Sequence, residues 1–166
     1  MTSFKKGITI KASKENVWKT LSNLGGVHKY HPGVINSYYS TDKKEGVGAA
    51  GICELAPMGK VLETATSWEK GKKLSLRIKP LEKTPPFKGF DATITLIEEK
   101  VGEVKLEFDI SYGMKLGLIG IILNKMVVES QLHKGIQGVM DGLKVHLEQG
   151  VEIKDAKDLA KYKQVA

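Results

Sequence analysis

Two periodicities divide the chain. Phe90, Ala92, Ile94 and Leu96 alternate with Asp91, Thr93 and Thr95, and Val104, Leu106, Phe108, Ile110 and Tyr112 alternate with Lys105, Glu107, Asp109 and Ser111. A period of two with one greasy and one wet face predicts a hairpin in an antiparallel sheet that is covered on one side only. Shorter strand-like runs precede it at 4–12, 34–40, 48–55, 60–68 and 74–79, separated by turn-forming stretches at 42–46, 56–59 and 69–73. Between the first two runs the period changes to that of a helix: Ser13 offers an N-cap hydroxyl, Glu15 sits in the first turn, and Val17, Trp18, Leu21 and Leu24 share a face up to Gly25-Gly26.

The greasy face of the sheet needs a cover, and residues 115–149 supply one. At about 100° per residue, Leu118, Ile122, Met126, Leu132, Ile136, Met140, Leu143 and Leu147 form one stripe, with Ser130, Lys134, Gln137, Asp141, Lys144 and Glu148 opposite. Beside the stripe runs a line of glycines, Gly117, Gly120, Gly135, Gly138 and Gly142. Each costs about 1 kcal/mol relative to alanine inside a helix, so the line needs a reason. Close backbone packing against the sheet is one. Room for a small molecule between helix and sheet is the other, and it makes Gly138 a candidate cavity position.

The 166 residues suit one domain, expected over 1–150, followed by a charged tail at 151–166 with one short helix and no assigned role. The first residues lack the apolar run of a secretory signal, and the longest greasy stretch, 116–123, is far short of a membrane span, so a soluble cytoplasmic protein is expected. The net charge of +7 is concentrated early: residues 1–50 hold eight lysines and three acids. Arg77 is the single arginine, however, and base readout and phosphate clamping lean on the guanidinium fork, which argues against specific nucleic-acid binding. Because Arg77 alternates with Leu76 and Ile78, it is expected to face solvent.

Candidate chemistry is sparse. The lone Cys53 has no disulfide partner and reads as a small buried strand residue. Gly46-Val-Gly-Ala-Ala-Gly51 matches a dinucleotide fingerprint, but Pro57 leaves no room for the helix that must follow, and no cofactor is expected. His28 and His31 form an HxxH pair, yet Pro32 opposes the regular helix that would align them, so no metal site is assigned. With Tyr30 they are instead expected to form a lid over one end of a cavity, touching ligand or simply packing. Glu129 projects into the apolar stripe and Glu63 shares a strand face with Val61 and Ala65. A carboxylate there either reaches water or anchors a ligand's polar group.

Strand, capped helix, His/Pro segment, antiparallel strands and long last helix come in a telling order. The pieces Ile10-Lys-Ala-Ser-Lys-Glu-Asn-Val-Trp-Lys-Thr-Leu21, His31-Pro-Gly-Val34, Gly46-Val-Gly48 and Lys115-Leu-Gly-Leu-Ile-Gly120 carry it. The chain resembles the START-related (SRPBCC) superfamily, most closely its polyketide cyclase/dehydrase type. The resemblance implies an α+β helix-grip fold: a curved seven-stranded antiparallel sheet around a long C-terminal helix, with two short helices between the first two strands. It also implies an apolar cavity holding a lipid, polyketide or aromatic molecule. Leu55-Ala-Pro-Met-Gly59 is similar to the gate loop of the abscisic-acid receptors of this superfamily, making Pro57 and Met58 candidate ligand contacts. Glu63 then falls where those receptors present a ligand-facing carboxylate. The sequence departs from the receptors' gate, and Gly51-Ile-Cys53 lacks an arginine found in many relatives, so a receptor role does not carry over.

The expected function is binding or carrying a small, mostly apolar molecule, with Phe108, Tyr112 and Met126 lining the site beside the residues above. The alternative is a cyclase or dehydratase using Glu63, Glu129, Tyr112 or His28 as acid and base. A protein partner or a homodimer is left open.

Overall fold

The computed structural model describes residues 2–56, 59–81, 87–114 and 118–164; for 87, 88, 114 and 118–128 it describes the backbone alone. The predicted hairpin forms β6 (Phe87–Lys100) and β7 (Glu103–Met114), the longest pairing of the sheet. With β1 (Thr2–Ile10), β2 (Val34–Tyr39), β3 (Ala50–Leu55), β4 (Gly59–Glu69) and β5 (Lys73–Pro80) they make one antiparallel sheet in the order β1-β7-β6-β5-β4-β3-β2. Gly46 and Gly48 both have left-handed backbone (φ 81° and 89°), so the predicted strand start at Gly48 shifts to Ala50. The short helix α1 (Lys14–Leu21) is capped by Ser13, whose hydroxyl accepts from the Asn16 amide at 3.3 Å. It ends at Leu21 rather than at the glycines, because Leu24 turns away to lay its carbonyl on Gly51 of β3. A 3₁₀ turn at Val27–Lys29 is the second short helix between β1 and β2.

The long helix α2 (Leu118–Gln149) lies against the sheet's apolar face, giving the helix-grip arrangement. Its C-terminal half is tightly packed. Ile136, Met140 and Leu143 are buried among Ile10, Val17, Leu21, Leu74, Val104 and Leu106, and the Trp18 and Trp68 rings meet edge to face at 5.5 Å. Lys144 donates to the Thr9 carbonyl (2.7 Å) and Lys6 to the His133 carbonyl and Gln137 Oε1 (both 3.1 Å), tying α2 to the β1 edge.

Two glycines of the line, Gly138 and Gly142, pack closely, but not against the sheet. A Cβ on Gly142 would collide with the Tyr30 carbonyl and one on Gly138 would lie 3.3 Å from Pro32 Cγ, so these glycines admit the His/Pro segment; one on Gly135 would meet nothing within 4 Å. Gly117 lies outside the described residues, and of Gly120 only the backbone is described.

The tail adds α3 (Ala156–Lys163), capped by Asp155 and packed through Val151, Ile153 and Leu159 on Val145 of α2. The Ile153 amide donates to the Lys29 carbonyl at 2.9 Å and Lys29 faces Glu152 at 3.6 Å, so the tail straps the 3₁₀ turn. Among the described residues no helix is long and apolar enough to cross a membrane.

Gly142→Ala is expected to destabilise the fold by about 1–3 kcal/mol despite alanine's better helix propensity, because the added methyl must push the Tyr30 backbone away. Gly135→Ala is expected to gain about 0.5–1 kcal/mol, since it adds propensity and meets no atom. Urea denaturation of both variants checks the pair; equal gains would refute the close-approach account.

Candidate functional site

The inner face of the sheet carries a continuous register row. Tyr39, Gly51, Glu63, Ile78, Phe90, Tyr112 and Thr2 stand opposite one another across all seven strands, so they share one face. Its first two positions are covered by the chain before the 3₁₀ turn: Leu24 lies on Gly51, and Tyr39 packs beside Gly25 and donates to Asn23 Oδ1 at 3.2 Å. The remainder runs from Glu63 to Tyr112 with Ile78 and Phe90 between. The row beneath it, Ala65, Leu76, Ala92 and Ile110, contains two alanines.

Glu63 is surrounded by protein yet keeps part of its surface accessible. Burial pushes its pKa up to about 7, partly offset by a hydrogen bond from the Cys53 thiol. Cys53 is the buried strand residue expected, and it has this second role. Burial, then the neighbouring Glu63 carboxylate, raises both the Cys53 thiol and the Tyr30 phenol. Glu63, Cys53 and Tyr30 thus form one cluster on β3, β4 and the His/Pro segment. Among the described residues no cation faces it: Arg77 points outward onto Asp91 at 2.8 Å, as its alternation predicts.

The two histidines are anchored separately. His28 Nδ1 lies 2.7 Å from the hydroxyl of the 5% exposed Ser37, which also accepts from the His28 amide and donates to the Gly25 carbonyl. Ser37 has one proton; with it on Gly25, Nδ1 of His28 carries the ring proton. His31 Nδ1 accepts from the Gly33 amide at 3.0 Å, so its proton sits on Nε2, and burial lowers its pKa to about 4. Among the described residues no three His, Cys, Asp or Glu side chains converge.

Glu129 stands at the seam of α2, β1 and β7, 38% exposed and 4.0 Å from His133 Nε2, while the His133 ring stacks on Phe4 at 3.9 Å. The buried Tyr112 has its pKa raised by burial and then by Glu129, with Thr2 acting in the opposite direction. Tyr112 and Glu129 therefore meet each other, and neither meets the Glu63 cluster in direct contact. Phe108 is buried between Ile94 and Lys6 in the packed core. Gly138 faces Pro32. Pro57 and Met58 lie outside the described residues, and the Met126 side chain is likewise not described. Sequence reasoning did not single out Lys6, Phe4 or Ser37, and it weighed His133 only as a third ligand for the His28/His31 pair. Lys6 was legible as a cation on the apolar side of the β1 alternation.

The sequence matches the family described as "Polyketide cyclase / dehydrase and lipid transport" over residues 1–148. The chain belongs to that family. Solved structures share its fold at low identity. They include the Zhui aromatase/cyclase from a Streptomyces species (TM-score 0.71, 11% identity, 89% of this chain and 94% of that one). A START superfamily protein from Mycobacterium smegmatis gives TM-score 0.69 at 12% identity, covering 90% and 99%. BexL, a di-domain ARO/CYC, gives 0.68 at 10%, covering 88% of this chain; the chain spans 47% of BexL's length. No curated protein matches the sequence significantly. Family membership supports ligand binding or a cyclase role.

Glu63 and His31 give this family member opposing pH responses. Glu63 has a folded pKa raised from 4.5 to about 7, so its contribution is full below 4.5 and is lost as pH rises to about 7. His31 has a folded pKa lowered from 6.5 to about 4, so its contribution is present above 6.5 and lost as pH falls to about 4. Glu63→Gln isolates the first: relative to wild type it should gain roughly 2–3 kcal/mol between pH 4.5 and 7.5. Urea denaturation across that range checks this; a difference independent of pH would contradict it.

Proposed function

We propose that the chain binds or carries a small, mostly apolar molecule in a cavity between the inner face of the sheet and the N-terminal half of α2. The observation that carries the reading is Glu63: a carboxyl enclosed by protein, with accessible surface and no cation facing it among the described residues, is costly in a filled interior and tolerable beside an occupied or hydrated space. Beside it Val61, Phe90 and Leu55 also keep accessible surface. The anchored His/Pro segment closes one end.

A second reading is acid/base catalysis of the cyclase or dehydratase type. It is favoured by Glu63 itself, since a carboxyl with pKa about 7 can both take and return a proton near neutrality.

The neutral probe N-phenyl-1-naphthylamine tests the carrier reading. Its fluorescence should rise on saturable binding to the wild-type chain, and Ala92→Leu and Ala65→Leu, which fill the floor, should each weaken uptake at least ten-fold. No uptake by wild type, or uptake unchanged in both folded variants, would overturn it.

A further inference from the structure

The polar residues of α1 recur at helical spacing. Asn16, Lys19, Thr20 and, just past the helix end, Asn23 share one side, while Val17, Trp18 and Leu21 are buried on the other. With Gly26 and Lys29 at the 3₁₀ turn and His146 near the end of α2, the polar side walls a pocket of about 340 Å³. Sites that hold small molecules start at roughly 300 Å³. No strand residue lines this pocket, so it is separate from the space over the sheet's inner face.

The lining offers positive charge and hydrogen-bond donors. Lys19 and Lys29 both reach the pocket and no Asp or Glu lines it. Glu148, in the last turn of α2, is held outside by Lys144 at 3.3 Å and by the Lys11 amide at 2.7 Å. Asn23 is fixed in one orientation: its Oδ1 accepts from the Tyr39 hydroxyl at 3.2 Å, which leaves Nδ2 to donate. Gly26 makes room for that amide, since a Cβ there would lie 2.6 Å from Asn23 Nδ2. His146 gives its Nδ1 proton to the Val151 carbonyl at 2.6 Å, so the neutral ring keeps Nε2 as an acceptor. The carboxylate of Glu152, at the start of the tail, lies 3.6 Å from Lys29 Nζ. An anionic group of the chain itself thus already rests on one of the pocket's two lysines.

We propose that this pocket binds the phosphate group of a small hydroxylated ester, with the phosphate among Lys19, Lys29 and the Asn23 amide and a hydroxyl on His146 Nε2. A phosphate carries up to two negative charges and three strong acceptor oxygens, which two ammonium groups and an amide donor match. The phosphate belongs either to a free metabolite or to a lipid headgroup. The site is independent of the carrier reading, and Glu152 competes with the ligand for Lys29.

Calorimetric titration with glycerol 3-phosphate at fixed ionic strength, and flotation with phosphatidylcholine vesicles with and without phosphatidate, test it. One of the two phosphate probes should bind saturably, and glycerol and pure phosphatidylcholine should not. Binding of the free ester assigns the site to a metabolite; binding of phosphatidate vesicles alone assigns it to a headgroup. Asn23→Asp keeps the oxygen that Tyr39 donates to and replaces the amide donor by a carboxylate oxygen, so it should weaken binding about ten-fold or more, as should Lys29→Gln. Glu152→Gln should strengthen binding about two-fold by freeing Lys29. Lys70→Gln, which removes the same charge from the distant β4–β5 turn, should leave binding unchanged. If Asn23→Asp fails to fold, Lys19→Gln takes its place with the same expected loss. Binding of neither phosphate probe, equal losses in Lys70→Gln and Lys29→Gln, or wild-type affinity in Asn23→Asp overturns the site.

Discussion

One helix has to cover one face of seven strands, and it is too narrow to do so. Six strand spacings make a sheet roughly 29 Å wide, whereas a helix with its side chains is about 10–12 Å across. The apolar face can leave water only if the sheet curls around the helix and other segments fill what remains. At the Trp68 end, α1 and the C-terminal half of α2 do this together, and the fully buried residues Ile10, Val17, Leu74, Val104 and Leu143 gather there. Toward the Glu63 and Tyr112 end α1 is absent, and that is where the proposed cavity would lie.

Close approach by the His/Pro segment fixes how the filled end stops. Gly142 lets the Tyr30 carbonyl sit against α2, Ser37 holds His28, the Gly33 amide holds His31, and the tail strap holds Lys29 from outside. These contacts hold the segment as a wall, with Tyr30 turned toward Glu63. The histidines that drew notice in the sequence thus use their Nδ1 atoms for positioning the chain, and His31 Nε2 is the group left to donate.

Much of this was legible in the residues. Period-two alternation located the strands, Ser13 located α1, the helical stripe located α2, and the alternation of Arg77 placed it outside. What stayed illegible depends on contacts between distant segments. The glycine line announced close packing, but which segment comes close is set by the path of the chain after α1. The ending of α1 at Leu21 reflects Leu24 reaching for Gly51, a pairing no local propensity encodes. Glu63 and Glu129 looked alike in sequence, yet one lies deep beside a thiol and a phenol and the other stands partly in water beside His133. The alignment of Glu63 with Tyr112 needed the register of four strands, which turn lengths and bulges set jointly.

The central claim is a space over Ile78 and Phe90 that side chains do not fill. A crystal of the ligand-free protein under xenon pressure tests it most directly, because xenon enters apolar voids that stay dry. Xenon density between Phe90, Ile78 and α2, within reach of the Ala92 floor, is the predicted result. Side chains from α2 packed solidly onto Ile78 and Phe90, with no xenon in the interior, would contradict the account.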